Sequence, residues 1–315
     1  MALLNVNAAD RQDGCAPAGE TALAPALDAL APGRPVTIMV HGFRFLPGDP
    51  AHDPHRHILS LSPRADCWKA VSWPRHLHLD RPGAGLGLGF GWPARGTLPE
   101  VAARALTVGG QLARLIGTLH RHRPDAPVQI VAHSLGARVA LTALARAPEG
   151  AVRRLVLMAG AEYRDAAARA LASPGAAACQ ALNVTSLENV PFDLMFRLTV
   201  APDRAGDLPL SAGLGAHGRA IDLRIDTAAT RAALSALGHR IRPPATRVCH
   251  WSGYMRPGLF AVYRRLLDPA DPDFPDVLRA ALGAAECPRQ ASPALPVRVP
   301  VGATLLASRA LRSQV

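Results

Sequence analysis

The sequence predicts an α/β fold, a doubly wound and mostly parallel sheet with helices on both faces. Three observations predict it. Short continuous apolar runs of strand length recur along the chain, as parallel strands covered on both faces require. Segments with apolar residues every three or four positions alternate with those runs, the pattern of βαβ units. One strand-like run passes into a helical one through Ala132-His133-Ser134-Leu135-Gly136, which places a serine at a sharp bend. A chain of 315 residues with 49% hydrophobic residues suits one large domain of this class.

In order along the chain, residues 1–33 are punctuated by Gly and Pro and read as a leader lying on a domain that spans 34–268. Residues 35–40 are a buried strand ending in His41-Gly42-Phe43. The loop after it contains Asp49, His52, Asp53, His55 and His57. We read it as a solvated loop at the rim of the cleft and not as a metal site, because no regular element holds these ligands. Residues 84–93 alternate Gly with Leu and Phe. They fail the dinucleotide fingerprint, since Phe90 stands at the third glycine position and Trp92-Pro93 follows in place of a helix. A strand approached closely by neighbouring backbone fits better.

Thr97-Leu98-Pro99-Glu100 is a capping box, and Val101, Ala105, Val108, Leu112, Leu115 and Leu119 then mark one face of a helix over 99–122. The serine strand and its helix follow. Residues 154–160 and 181–186 are two more buried strands. Residues 195–245 are less regular and are expected to cover part of the cleft, with a short strand at 223–225 and a helix at 227–237 that has Asp226 near its cap. Residues 259–267 form a closing helix, and 269–315 read as a proline-broken tail.

The formal charge of +11 would suit nucleic acid or an anionic membrane. Lys69 is the only lysine, however, and the arginines are scattered through an Ala-, Gly- and Pro-rich chain with no basic stripe. That is the composition of a GC-rich genome, so no nucleic-acid partner is expected. No apolar run reaches the roughly 18 residues of a membrane span. The start lacks a secretory pattern, and a cytoplasmic location is expected. Cys15, Cys67, Cys179, Cys249 and Cys287 contain no C-x-x-C pair and read as reduced thiols.

The serine bend, the strand before it and the helix after it resemble the α/β-hydrolase superfamily over roughly residues 35–267. Ala132 stands where the family's motif has its first Gly. Phe90-Gly91-Trp92-Pro93-Ala94-Arg95-Gly96 and His250-Trp251-Ser252-Gly253-Tyr254 also resemble segments of a group of bacterial α/β-hydrolase proteins of undefined function. The resemblance implies that Ser134 is a nucleophile, and that the amides of Phe43 and Leu135 form an oxyanion hole. It implies the chain order serine, acid, histidine, which points to His250 as the base. His217 and His239 are alternatives inside the irregular segment, and His133 points the wrong way to deprotonate the serine.

The usual acid position holds Asn189, a departure from the family pattern. Asp193 is the preferred acid and Glu188 the alternative, with Glu162 as a third choice. The implied activity is cleavage of a carboxylic ester or thioester through an acyl-serine, with a small-molecule or lipid-like acyl substrate and no cofactor. The same residues would also serve an acyltransferase, and Asn189 keeps open a non-catalytic binding protein on the hydrolase fold.

Overall fold

The computed structural model describes residues 2–9, 22–64, 67–215 and 218–285. Seven strands form one all-parallel sheet: β1 (Ala2–Asn7), β2 (Val36–Val40), β3 (Leu86–Gly91), β4 (Val128–His133), β5 (Val152–Met158), β6 (Gln180–Thr185) and β7 (Ala220–Arg224), in the order β1-β3-β2-β4-β5-β6-β7. The described helices are α1 (Leu23–Asp28), α2 (Trp73–His76), α3 (Leu98–His122), α4 (Leu135–Arg146), α5 (Arg164–Ala172), α6 (Val190–Thr199), α7 (Ala228–Ala236), α8 (Ser252–Met255), α9 (Leu259–Leu267) and α10 (Phe274–Ala285). The predicted class is the observed one, an α/β fold consistent with the α/β-hydrolase type.

The period of two along each strand divides the interior into two cores. Ile38, Val40, Ile130, Ala132, Leu155 and Leu157 face one, where α1, α3, α4 and α5 pack. Met39, Val131, Val156, Met158, Leu182 and Val184 face the other, against residues of α7, α8, α9 and α10. Both faces of the central strands are therefore apolar, and the sequence reads there as unbroken hydrophobic runs.

Three segments differ from expectation. Residues 2–7 are not a leader but the edge strand β1, paired with β3 from Ala2↔Leu86 to Asn7↔Gly91. Residues 220–224 join the sheet as β7 beside β6, so the segment expected to cover the cleft contributes to the frame. Its helix is capped by Thr227, whose hydroxyl accepts the Thr230 N–H at 3.1 Å, and Asp226 lies beside that cap as expected. Residues 274–285 form α10, whose Phe274, Leu278 and Leu282 repeat every four positions into the second core. Residues 286–315 of the expected tail lie outside the described residues.

The glycines of β3 are approached by side chains. A Cβ on Gly91 would lie 2.7 Å from His55 Nε2 and would clash with Asn7 Oδ1. β3 and β4 flank β2 on opposite sides, so the chain reverses its winding direction at β2. The crevice beyond the carboxyl ends of β2 and β4 is where such sheets bind ligands. His41 and Ser134 stand there.

Candidate active site

Ser134 sits between β4 and α4 with φ 55° and ψ −127°, a conformation that costs a non-glycine residue roughly 1–3 kcal/mol. Hydrogen bonds from three directions hold it. Its N–H donates to Met158 O at 3.1 Å, and its carbonyl accepts from Ala137 N–H at 2.9 Å and Ala161 N–H at 3.0 Å. Bare backbone on either side makes room for the bend. A Cβ on Gly42 would stand 2.7 Å from Ser134 Cβ, and one on Gly136 would stand 2.6 Å from the carbonyls of Val40 and His41.

The Ser134 Oγ lies 2.8 Å from His250 Nε2. On the far side of the ring, Nδ1 is 2.6 Å from Asn189 Oδ1. The Asn189 Nδ2 in turn donates to Asp193 Oδ1 at 2.8 Å. These contacts fix the proton order. Asp193 accepts from the amide nitrogen, so the amide oxygen must face His250 and accept its Nδ1–H, which leaves Nε2 unprotonated toward the serine.

Asp193, the preferred acid, therefore does not touch His250. Asn189 occupies that place, and Asp193 stands one side chain behind it. The reason is local: residues 187–189 form a 3-10 turn that presents Asn189 to the ring, and Asp193 follows one helical turn later on α6.

Glu188, the alternative acid, points elsewhere. It forms a buried ion pair with Arg256 and accepts the Ser186 hydroxyl at 2.8 Å. Its carbonyl receives the Cys249 N–H at 2.9 Å, so it ties the histidine loop to the end of β6. Glu162 pairs with Arg138 at 2.6 Å, and burial raises its pKa. His239 packs edge-on against Phe274. His217 lies outside the described residues.

The electrostatics favour a neutral His250 ring. Burial, then the His133 ring and the Lys69 ammonium, hold the His250 pKa well below its ordinary value. Burial pushes the Asp193 carboxyl up to about 6, against the opposing hydrogen bonds from Ser211 and Asn189. Phe192 stacks on the His250 ring at 4.7 Å and 22°.

Two further histidines support the site. His133 Nε2–H donates to His250 O at 3.0 Å, and burial lowers its pKa to about 4. His41 donates from Nδ1 to Gly42 O at 2.9 Å and accepts the Trp92 N–H on Nε2 at 3.0 Å. Burial holds its pKa down to about 3, so both ring nitrogens keep these neutral roles. Trp92 Nε1–H closes the arrangement on His41 O at 2.9 Å. The loop bearing the Phe43 amide is thereby bound to β3. Leu135 is the first residue of α4, where an N–H has no intrahelical acceptor.

In the histidine-rich loop, His52 pairs with Asp49 at 2.9 Å and His55 with Asn7 at 2.7 Å. His57 packs edge-on against Phe45. His55 is half-buried, with its ring against Gly89 and Gly91 of β3. Among the described residues, no group of three or more His, Cys, Asp or Glu side chains is placed to hold a metal. Cys67, Cys179 and Cys249 are free thiols, and Cys15 and Cys287 lie outside the described residues. No described helix is long and apolar enough to cross a membrane.

No family model matches the chain, and no curated protein matches it. Among solved structures it is similar to the catalytic core domain of acetyl xylan esterase from Trichoderma reesei, with 15% identity and a TM-score of 0.27. The likeness covers 42% of this chain and 65% of that one, so the chain spans just under two thirds of that domain. At that TM-score the likeness adds nothing to the chemistry, which rests on the geometry above.

Proposed function

We propose that the protein is a serine hydrolase that cleaves a carboxylic ester or thioester through an acyl-serine intermediate. One observation carries the proposal: a serine on a strained strand–helix bend, hydrogen-bonded at 2.8 Å to an unprotonated ring nitrogen.

In this reading Ser134 Oγ attacks the acyl carbon while its proton passes to His250 Nε2. The oxyanion of the tetrahedral intermediate is held by the amides of Phe43 and Leu135, reinforced by the N-terminal dipole of α4. The imidazolium returns the proton to the leaving oxygen or sulfur. Water then repeats the sequence on the acyl-serine and frees the acid. Asn189 sets the tautomer of His250, and Asp193 orients Asn189. Both are positioning residues, and neither needs a cofactor.

The asparagine beside His250 favours a second reading, a binding protein on a hydrolase fold, because the imidazolium has no carboxylate in contact. A fluorophosphonate probe separates the two, since only an activated serine reacts with it. Native protein should label and hydrolyse p-nitrophenyl esters. Ser134→Ala should lose labelling and about a million-fold in turnover while remaining folded. A native protein that fails to label would leave the binding reading standing.

A further inference from the structure

Nine large hydrophobic side chains are exposed among the described residues, and six of them lie on three segments that meet at His250. They are Trp68, Leu187, Val190, Leu194, Leu198 and Val248, each 42% to 66% exposed. The segments are in contact. Trp68 packs edge-on against Trp251 at 5.6 Å, Trp251 against Phe192 at 6.1 Å, and Phe192 stacks on His250. Leu187 and Val248 each precede a residue of the Cys249 N–H to Glu188 O bond. Val190, Leu194 and Leu198 are spaced by four along α6 and share its outer face.

Exposed apolar side chains scattered singly need no explanation, but a contiguous set around a cleft marks a contact surface. The charges within it decide what it contacts. Arg197 falls on the same face of α6 as Val190, and Arg247 adjoins Val248; both are exposed. The Lys69 ammonium lies 4.0 Å from the Trp251 ring centroid and 5.5 Å from that of Trp68. Among the described residues, none of these three cations has a carboxylate within ion-pair distance. Among the described residues, the carboxylates on the same segments are Glu188, paired with Arg256, and Asp193, turned in toward Asn189; Asp66 lies outside the described residues.

We propose that this rim docks on the surface of an anionic phospholipid bilayer. The leucines and Trp68 enter the headgroup boundary, and Lys69, Arg197 and Arg247 meet the lipid phosphates. Tryptophan, leucine and basic side chains on one face are the composition that lies in such an interface. On the hydrolase reading, docking by this rim would set His250, and the Ser134 hydroxyl bonded to it, beside the membrane, so acyl substrates would come from the lipid.

The test uses the full chain and reads binding, so it stands apart from the hydrolase reading; Ser134→Ala should bind equally well. The protein should co-sediment with phosphatidylcholine vesicles containing phosphatidylglycerol, and not with pure phosphatidylcholine at the same salt concentration. Tryptophan emission should shift to the blue on binding. Trp73 and Trp92 are fully buried, so the shift reports Trp68 and Trp251. Arg197→Gln should weaken partitioning about five-fold, from the roughly 1 kcal/mol that each basic residue contributes at an anionic surface. Leu194→Ser combined with Leu198→Ser should weaken it more than about ten-fold, with turnover of a soluble short-chain ester unchanged. Equal binding to both vesicle types, or to neither, would overturn the proposal. So would a dimer that the same leucine substitutions dissolve, because the stripe would then belong to a second copy.

Discussion

Exchanging Asn189 and Asp193, by Asn189→Asp with Asp193→Asn, moves one negative charge from behind the amide into contact with His250. The contact to His250 Nδ1 is 2.6 Å, so the introduced carboxylate would lie about 4 Å from the centre of the imidazolium charge. At an effective dielectric constant of about 20, that attraction is roughly 4 kcal/mol. Asn189 is 3% exposed, and desolvating a carboxylate there offsets part of the gain. A net 1.5–3 kcal/mol, or about ten- to a hundred-fold in kcat, is the expected improvement.

Removing a triad carboxylate elsewhere costs about ten-thousand-fold, largely through the wrong histidine tautomer. Here Asn189 already sets the tautomer, and only the charge remains to be gained. The exchange also preserves the hydrogen bond between the two positions with donor and acceptor reversed. Asn189→Asp alone does not, because two carboxylates 2.8 Å apart must share a proton, so the single change should give a smaller gain. The assay is kcat for a p-nitrophenyl ester, with melting temperature as the control on folding. A folded double variant slower than native by ten-fold or more would refute the reasoning.

The pH profile should show an acid limb near pH 6 that belongs to Asp193, because burial raises its carboxyl to about 6 and holds the His250 pKa well below its ordinary value. Below that pH the carboxyl is protonated and holds Asn189 less firmly; Asp193→Asn should remove the limb at a cost of about ten-fold in kcat. Stability should run the other way. A carboxyl whose folded pKa is raised contributes stability below the unfolded pKa near 4, and that contribution is lost as pH rises to about 6. The loss is up to about 3 kcal/mol, readable by urea denaturation. Breaking the buried Glu188–Arg256 pair by Glu188→Gln should cost about 3–5 kcal/mol of stability, seen as a lower melting temperature, because Arg256 is left unpaired in the core.

The central frame was legible because strands buried on both faces must be apolar throughout, as residues 36–40 and 128–133 are. β1 was missed because an edge strand needs no such run, and Asn5 and Asn7 interrupt its apolar pattern. α10 was obscured by Pro272 and Pro275, which precede and open it, although Phe274, Leu278 and Leu282 repeat at helical spacing. Ser134 and His250 stood out through their local context. The link between Asn189 and Asp193 did not, because it depends on a 3-10 turn running into α6, and a spacing of four does not reveal which residue faces the histidine. The capping hydrogen bonds of His41 were likewise hidden, since Trp92 is remote in sequence.

In the proposed mechanism the weak point is the formation of the His250 imidazolium, with a consequence for the leaving group. Burial and Lys69 both disfavour a charged His250, and a polarised amide replaces the carboxylate that would stabilise it. Accepting the serine proton is then the costly step. Returning that proton is correspondingly easy, because the imidazolium is a stronger acid than an ordinary one. Attack on the acyl carbon should therefore limit the rate, and turnover should follow the electrophilicity of the carbonyl. Aryl esters and thioesters should be cleaved far faster than alkyl esters of the same acyl group. Placing the carboxylate beside His250 by the double exchange lowers the cost of the first proton transfer, so the ratio of aryl to ethyl ester turnover should narrow. If that ratio is unchanged in a variant whose kcat has risen, attack does not limit the rate, and the electrostatic account of His250 is wrong.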